Sequence, residues 1–110
     1  MSDDLIKMER EQHDGLVILR LGGEIDLANV NALQVRLERA TYGCDQVVVD
    51  LGAVEYIDSQ GLRLLQQLSN SLAAREVTLV IVAPPEGIAR DVLELTRMGD
   101  HIEIRDAFEH

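Results

Sequence analysis

Val47-Val48-Val49-Asp50-Leu51, followed after a short interval by Tyr56-Ile57-Asp58-Ser59-Gln60-Gly61-Leu62-Arg63-Leu64-Leu65, is the stretch whose reading decides the fold. The first run is apolar without clean alternation, as expected of a strand covered on both faces. The second passes into an amphipathic run in which Leu65, Leu68 and Leu72 recur at helical spacing and form its buried stripe. Asp58 and Ser59 fall where that helix begins, beside free backbone N–H groups and the positive end of the helix dipole. Two readings of the pair follow. Both residues are ordinary caps, or Ser59 is an exposed hydroxyl open to modification. A phosphate there gains from the dipole and adds about −1.5 to −2 charges to the surrounding surface.

Outward from this stretch, the chain reads as one α/β domain over residues 1–110. On the N-terminal side, Leu5 to Gln12 is a strand, His13-Asp14-Gly15 a hairpin turn, and Leu16 to Leu21 the antiparallel second strand, broken by Gly22-Gly23. Glu24-Ile25-Asp26 leads into a helix with Asp26 as N-cap, Val30, Leu33 and Leu37 as its buried face and Gly43 as its stop. Gln46 to Leu51 is the third strand and Gly52 to Tyr56 a link to the helix, which runs from Ser59 to Ala74 or Arg75. On the C-terminal side, Val77 to Val82 reads as a strand and the centre of the sheet. Pro84-Pro85 then breaks the chain, with Pro85 in the first turn of a helix that buries Ile88, Val92 and Leu95 and ends at Gly99. Ile102 to Ile104 is the last strand, and Asp106 to His110 are too few for another helix.

The order is ββαβαβαβ, a mixed, mostly parallel sheet with right-handed crossovers and an antiparallel hairpin strand at the edge. If sheet order follows chain order, the three helices lie on one face. The other face is then only partly covered and is a candidate docking surface.

Composition removes several function classes. A net charge of −10 argues against nucleic-acid binding and against an acidic membrane surface, and fits a partner that presents basic residues. Cys44 is the only cysteine, so no internal disulfide can form, and His13, His101 and His110 lack ligand spacing; neither a metal nor a cofactor is expected. Ser2-Asp3-Asp4 is acidic and no apolar segment follows it, and the run near Val77 to Ala83 is too short to span a bilayer, so a cytoplasmic protein is expected. With Tyr42, Tyr56 and Phe108 as the only aromatics, the core is aliphatic and no stacking platform for single-stranded nucleic acid exists.

Nor does the chain read as an enzyme. Gly22 to Leu27, GGEIDL, lacks the spacing of either nucleotide fingerprint, and Ser59 is not flanked by glycines as a nucleophile elbow demands. A receiver-like reading of Asp50 lacks the acidic pair after the first strand and the late-strand lysine, since the only lysine is Lys7.

The string from Asp50 to Leu65, DLGAVEYIDSQGLRLL, resembles the signature of the STAS domain, specifically the stand-alone bacterial anti-sigma factor antagonists. The matching residues are Asp50-Leu51, Val54, Ile57 and Asp58-Ser59-x-Gly61-Leu62, with Gly23-Glu24-Ile25-Asp26 and Leu95-Thr96-Arg97-Met98-Gly99 in the right order on either side. The resemblance implies a protein that binds an anti-sigma factor and so releases a sigma factor. It implies that this partner is also a serine kinase of the histidine-kinase-like ATPase fold, that Ser59 is the phosphorylated residue, and that a phosphatase reverses the modification. It also implies that the turn beside the serine contributes to docking, so Glu24 and Asp26 carry over.

Asp58, Ser59, Gly61, Leu62 and Arg63 complete the expected partner face. Gly61 either admits a close approach by the partner or packs against the sheet. Leu62 is either an exposed apolar contact or core. Arg63, at i+4 from Ser59, either pairs with a phosphate or is a solvated helix residue. Two departures bear on the kinase. Gln60 stands where many relatives have a second small hydroxyl residue, and Arg63 where many have glycine. The chain also stops near His110, where relatives often carry a further helix. The alternatives are a STAS scaffold subunit that binds constitutively in a larger signalling assembly, and a nucleotide-binding α/β domain.

Overall fold

The computed structural model describes residues 6–108. Leu5, the expected start of the first strand, and the last residues of the expected C-terminal tail lie outside that range. In chain order the elements are β1 (Ile6–His13), β2 (Leu16–Ile25), α1 (Val30–Ala40), β3 (Gln46–Ile57), α2 (Ser59–Ala74), β4 (Thr78–Val82), α3 (Ile88–Leu95), a 3-10 turn (Met98–Asp100) and β5 (Glu103–Arg105). The sheet order is β1-β2-β3-β4-β5. β1 is antiparallel to β2 across the Asp14-Gly15 turn, and every other pair is parallel.

The strands alternate, and the alternation separates two cores. Val17, Leu19 and Leu21 of β2, Val47, Val49 and Leu51 of β3, and Leu79 and Ile81 of β4 face the helices, packing with Leu33, Leu37, Leu65, Leu68, Leu72 and Leu93. Leu64 joins this cluster beside the expected leucine stripe of α2. Side chains from all three helices lie in that cluster and none lies in the other, so the helices share one face. The opposite face carries a smaller cluster of Ile18, Val48, Val80 and Val82, with Leu16 and Phe108 packed against it. These four residues are at most 4% exposed, while Glu9 and Arg20 on one side and Glu103 and Arg105 of β5 on the other are exposed, so this face is partly covered, as expected. The segment after β5 brings Phe108 across it.

Three expectations about the strands are corrected. β2 does not break at Gly22-Gly23 but continues to Ile25, and β3 runs on to Ile57 where a link was expected. The two extensions pair with each other, Gly22 with Ala53, Glu24 with Tyr56 and Ile25 with Ile57, through two register shifts. Glycines absorb the irregularity: Gly23 has φ +99, a region other residues rarely occupy, and a Cβ on Gly22 would stand 3.2 Å from that of Ala53. The centre of the sheet is therefore β3, with two strands on each side, rather than β4.

The third helix differs in both start and face. Pro84 to Gly87 form a turn closed by the Gly87 N–H on the Pro84 carbonyl (2.9 Å), and α3 begins at Ile88. It buries Ala89 and Leu93, leaving Ile88 52% and Leu95 84% exposed and Val92 partly buried. A stripe shifted by one residue is a rotation of about 100° about the helix axis. The helix stops at Leu95, before Gly99, and Arg97 follows in the left-handed region at φ +58.

Candidate functional site

The C-terminal ends of β2 and β3 deliver two turns side by side, and one carboxylate joins them. Asp58 leaves β3 in an extended conformation and caps α2, its Oδ1 accepting from the N–H groups of Gln60 (2.8 Å) and Gly61 (3.1 Å). Its Oδ2 accepts from the N–H of Leu27 in the β2–α1 turn (3.2 Å), and its own N–H donates to the Ile25 carbonyl (3.1 Å). A charged acceptor with three backbone donors fixes the helix start and the neighbouring turn as one unit.

The β2–α1 turn is tied internally as well. Asp26 Oδ1 accepts from the Ala28 N–H (3.0 Å), and the Asp26 carbonyl accepts from Asn29 and Val30. Asp26 is therefore not the N-cap of α1, as expected, but the head of a tighter turn before it; α1 starts at Val30 after Asn29. Asn29 is not among the expected site residues. It is 7% exposed, accepts from the Asp26 N–H through Oδ1 (3.1 Å) and donates through Nδ2 to the Glu24 carbonyl (2.7 Å). An asparagine just before a periodic apolar run was the available signal. Its side chain binds backward to the turn instead of forward to the helix.

The remaining residues fall into place around this unit. Ser59 is the first residue of α2, it is exposed, and its hydroxyl has no hydrogen-bond partner among the described residues. Asp58, the residue before it, and Asp26 and Glu24 of the neighbouring β2 end and turn are partly buried. Gly61 is buried, and a Cβ there would stand 2.6 Å from Ile57 Cγ1 and 2.9 Å from Ile25 Cγ2, so of its two readings the packing one holds. It seats α2 against the ends of β2 and β3. Leu62 is partly buried and packs against the main core. Arg63 is exposed and makes no ion pair among the described residues. Two exposed apolar side chains at this end were not anticipated: Leu27, 69% exposed, and Tyr56, the register partner of Glu24.

This end of the fold offers an exposed hydroxyl, the carboxylates of Asp58, Asp26 and Glu24 on the joined strand ends and turns, and a fixed backbone frame, which suits recognition and modification. A scan against family models matches the STAS domain over residues 7–110. The chain belongs to the STAS domain family.

Several of the proteins it is similar to are bacterial anti-sigma factor antagonists. It is 36% identical over 70 residues to the anti-sigma-F factor antagonist RsfB of Mycobacterium tuberculosis, a match covering 63% of this chain and 57% of that one. The chain thus spans a little over half the length of that relative. To the anti-sigma-B factor antagonist of Staphylococcus epidermidis it is 29% identical over 105 residues, covering 94% of this chain and 96% of the other. Among solved structures, an anti-sigma factor antagonist from Mycobacterium paratuberculosis superposes with a TM-score of 0.83 at 27% identity, over 98% of this STAS domain and 91% of that chain. These relatives are named for antagonism, not catalysis. Among the described residues no helix is long and apolar enough to cross a membrane.

Proposed function

We propose that this STAS domain is an anti-sigma factor antagonist whose docking face is the Ser59 end of the fold, and that phosphorylation of Ser59 turns the face off. The observation that carries the reading is an exposed serine hydroxyl on the first turn of α2, held in place by the same Asp58 that holds the Asp26 turn. The partner is an anti-sigma factor that is also a serine kinase. A phosphatase restores the face, and the exchange takes place in the cytoplasm.

The switch is electrostatic. Unmodified Ser59 lies against the partner together with Asp58, Asp26, Glu24, Leu62 and Arg63. A phosphate adds about −1.5 to −2 charges to a surface already carrying three carboxylates. The N–H groups of Gln60 and Gly61 are already bonded to Asp58, so the new charge would compete with that carboxylate for them. Like-charge repulsion and desolvation amounting to about 3 kcal/mol weaken a complex more than a hundredfold. No rearrangement of the fold is required, because the helix dipole favours the anion locally.

Incubation with the cognate kinase and ATP, followed by mass spectrometry, should place one phosphate on Ser59. Ser59→Asp and the phosphorylated protein should both lose anti-sigma factor in a binding titration. No label on Ser59, with binding retained in Ser59→Asp, would favour constitutive binding by a scaffold subunit. Tight nucleotide binding by the isolated chain in a calorimetric titration would support the α/β nucleotide-binding alternative.

A further inference from the structure

We propose that Leu27 is the apolar anchor of the docking face, and that the anti-sigma factor receives it in an apolar pocket rimmed by basic side chains. The inference rests on the reading of the Ser59 end as that face and assigns a residue that reading leaves out. Carboxylates around Ser59 steer a basic partner and set specificity, but exposed charge supplies little affinity by itself. Affinity concentrates in a few side chains that become fully desolvated near the centre of an interface, most often Trp, Tyr or Arg and less often Leu.

Six large apolar side chains are exposed among the described residues: Leu27, Val35, Tyr42, Tyr56, Ile88 and Leu95. Of these, Leu27 alone is bonded to the carboxylate that starts α2, through its N–H to Asp58 Oδ2 (3.2 Å). It therefore belongs to the same hydrogen-bonded unit as Ser59.

The presentation of Leu27 is pre-organised. The turn is held on one side by Asp26 Oδ1 on the Ala28 N–H, on the other by buried Asn29 bridging the Asp26 N–H and the Glu24 carbonyl, and from across by Asp58. An apolar side chain on a fixed turn costs little ordering when a partner buries it. Nothing in the fold itself needs Leu27 to be apolar, since it is 69% exposed. Its flanks, Asp26 and Asp58, are acidic, which sets the chemistry of the pocket that would fit: apolar at the base, Arg or Lys at the rim. A phosphate on Ser59 enters the same rim, so the anchor and the switch act on one contact.

The test titrates unphosphorylated protein against the purified anti-sigma factor of the source bacterium, using wild type, Leu27→Ala, Leu27→Met, Ser59→Asp and, as a control, Leu95→Ala on the outer side of α3. Leu27→Ala should weaken binding about 10- to 30-fold with an unchanged thermal melt, in line with losing one well-buried leucine. Leu27→Met should stay within about threefold of wild type because volume and apolarity are kept. Leu95→Ala should match wild type although Leu95 is the more exposed leucine. If Leu27→Ala binds within about twofold of wild type while Ser59→Asp is weakened, the anchor is wrong and the switch stands. A loss in Leu27→Ala with none in Ser59→Asp supports the anchor and overturns the switch. Absence of binding by the wild type removes both.

Discussion

Helices α2 and α3 leave the same end of the parallel sheet and pack on the same face, yet they are held in different ways. α2 is fixed at its first turn: the Asp58 side chain closes it, and buried Gly61 lets it sit directly on Ile25 and Ile57. α3 has Gly87 before its first residue and no side-chain cap. It is held from its middle, by Leu93 and Ala89 in the core and by Arg90, whose Nη1 donates to the Ala83 carbonyl and to Asp106 Oδ1, both at 2.7 Å, while Nε donates to Glu94 Oε2 (2.9 Å). A helix fixed at its tip presents its first residue at a set position, and that is where Ser59 stands. A helix fixed at its middle keeps its orientation but leaves its tip without a side-chain tie. The proposed phosphorylation site thus stands on the helix start that is fixed by a side chain.

The largest test of this contrast lies in the middle of α3. Leu93 is fully buried, and Leu93→Ala should cost about 2–5 kcal/mol in a denaturant titration through lost burial and a residual cavity. A loss near zero would mean that Arg90, not the core, holds α3. At the tip of α2 the comparable probe is Gly61→Ala. Alanine favours a helix interior over glycine by about 1 kcal/mol, yet its Cβ would stand inside contact distance of two isoleucines. A net destabilisation of about 1–3 kcal/mol is expected, and a stabilised variant would show that α2 lifts off the sheet freely. Asp58→Ala follows, at about 1–2 kcal/mol for the lost cap. It should also speed amide exchange at Leu27, whose N–H loses its acceptor; unchanged exchange there would separate the two turns.

The same contrast accounts for what could be read from the residues alone. The start of α2 was legible because the cap is the side chain of the residue that stops the strand, so sequence and geometry coincide at Asp58-Ser59. The buried stripes of α1 and α2 followed from apolar spacing, whereas the sheet order was open to the residues only as the assumption that it follows the chain. The face of α3 did not, because Ile88, Val92 and Leu95 repeat at helical spacing as well as Ala89 and Leu93 do; contact with β3 and the turn after α3, not periodicity, decides between them. Gly22 and Gly23 read as a break because a glycine's effect depends on the neighbouring strand, and here β3 pairs with them. At the site, Asp58 and Ser59 stand in one contiguous pattern and Asp26 in another, Gly23 to Asp26. The parts that Asn29 and Leu27 play depend on which backbone groups a folded turn brings within reach, and no spacing rule encodes that.

The smallest effect asks whether α3 could be given a tip like that of α2. Gly87 sits at φ −84 and ψ 154, an extended conformation open to any residue, so backbone strain does not require glycine there. A serine hydroxyl could accept from the free N–H groups of the first turn, and replacing glycine at an N-cap by such a residue stabilises by only a few tenths of a kcal/mol. Against this, a Cβ at Gly87 would stand 3.3 Å from the Pro84 carbonyl oxygen, which already accepts from the Gly87 N–H. Aspartate would add repulsion with that oxygen and with the acidic first turn, where Asp91 already stands, so serine is the better probe. Gly87→Ser should raise the melting temperature by about 1–2 °C, the shift that a few tenths of a kcal/mol produces in a domain of this size. A fall of the same size would show that the Pro84-Pro85 turn does not yield. The missing cap of α3 would then follow from the turn that precedes it, and the difference between the two helix starts would be built in by the proline pair.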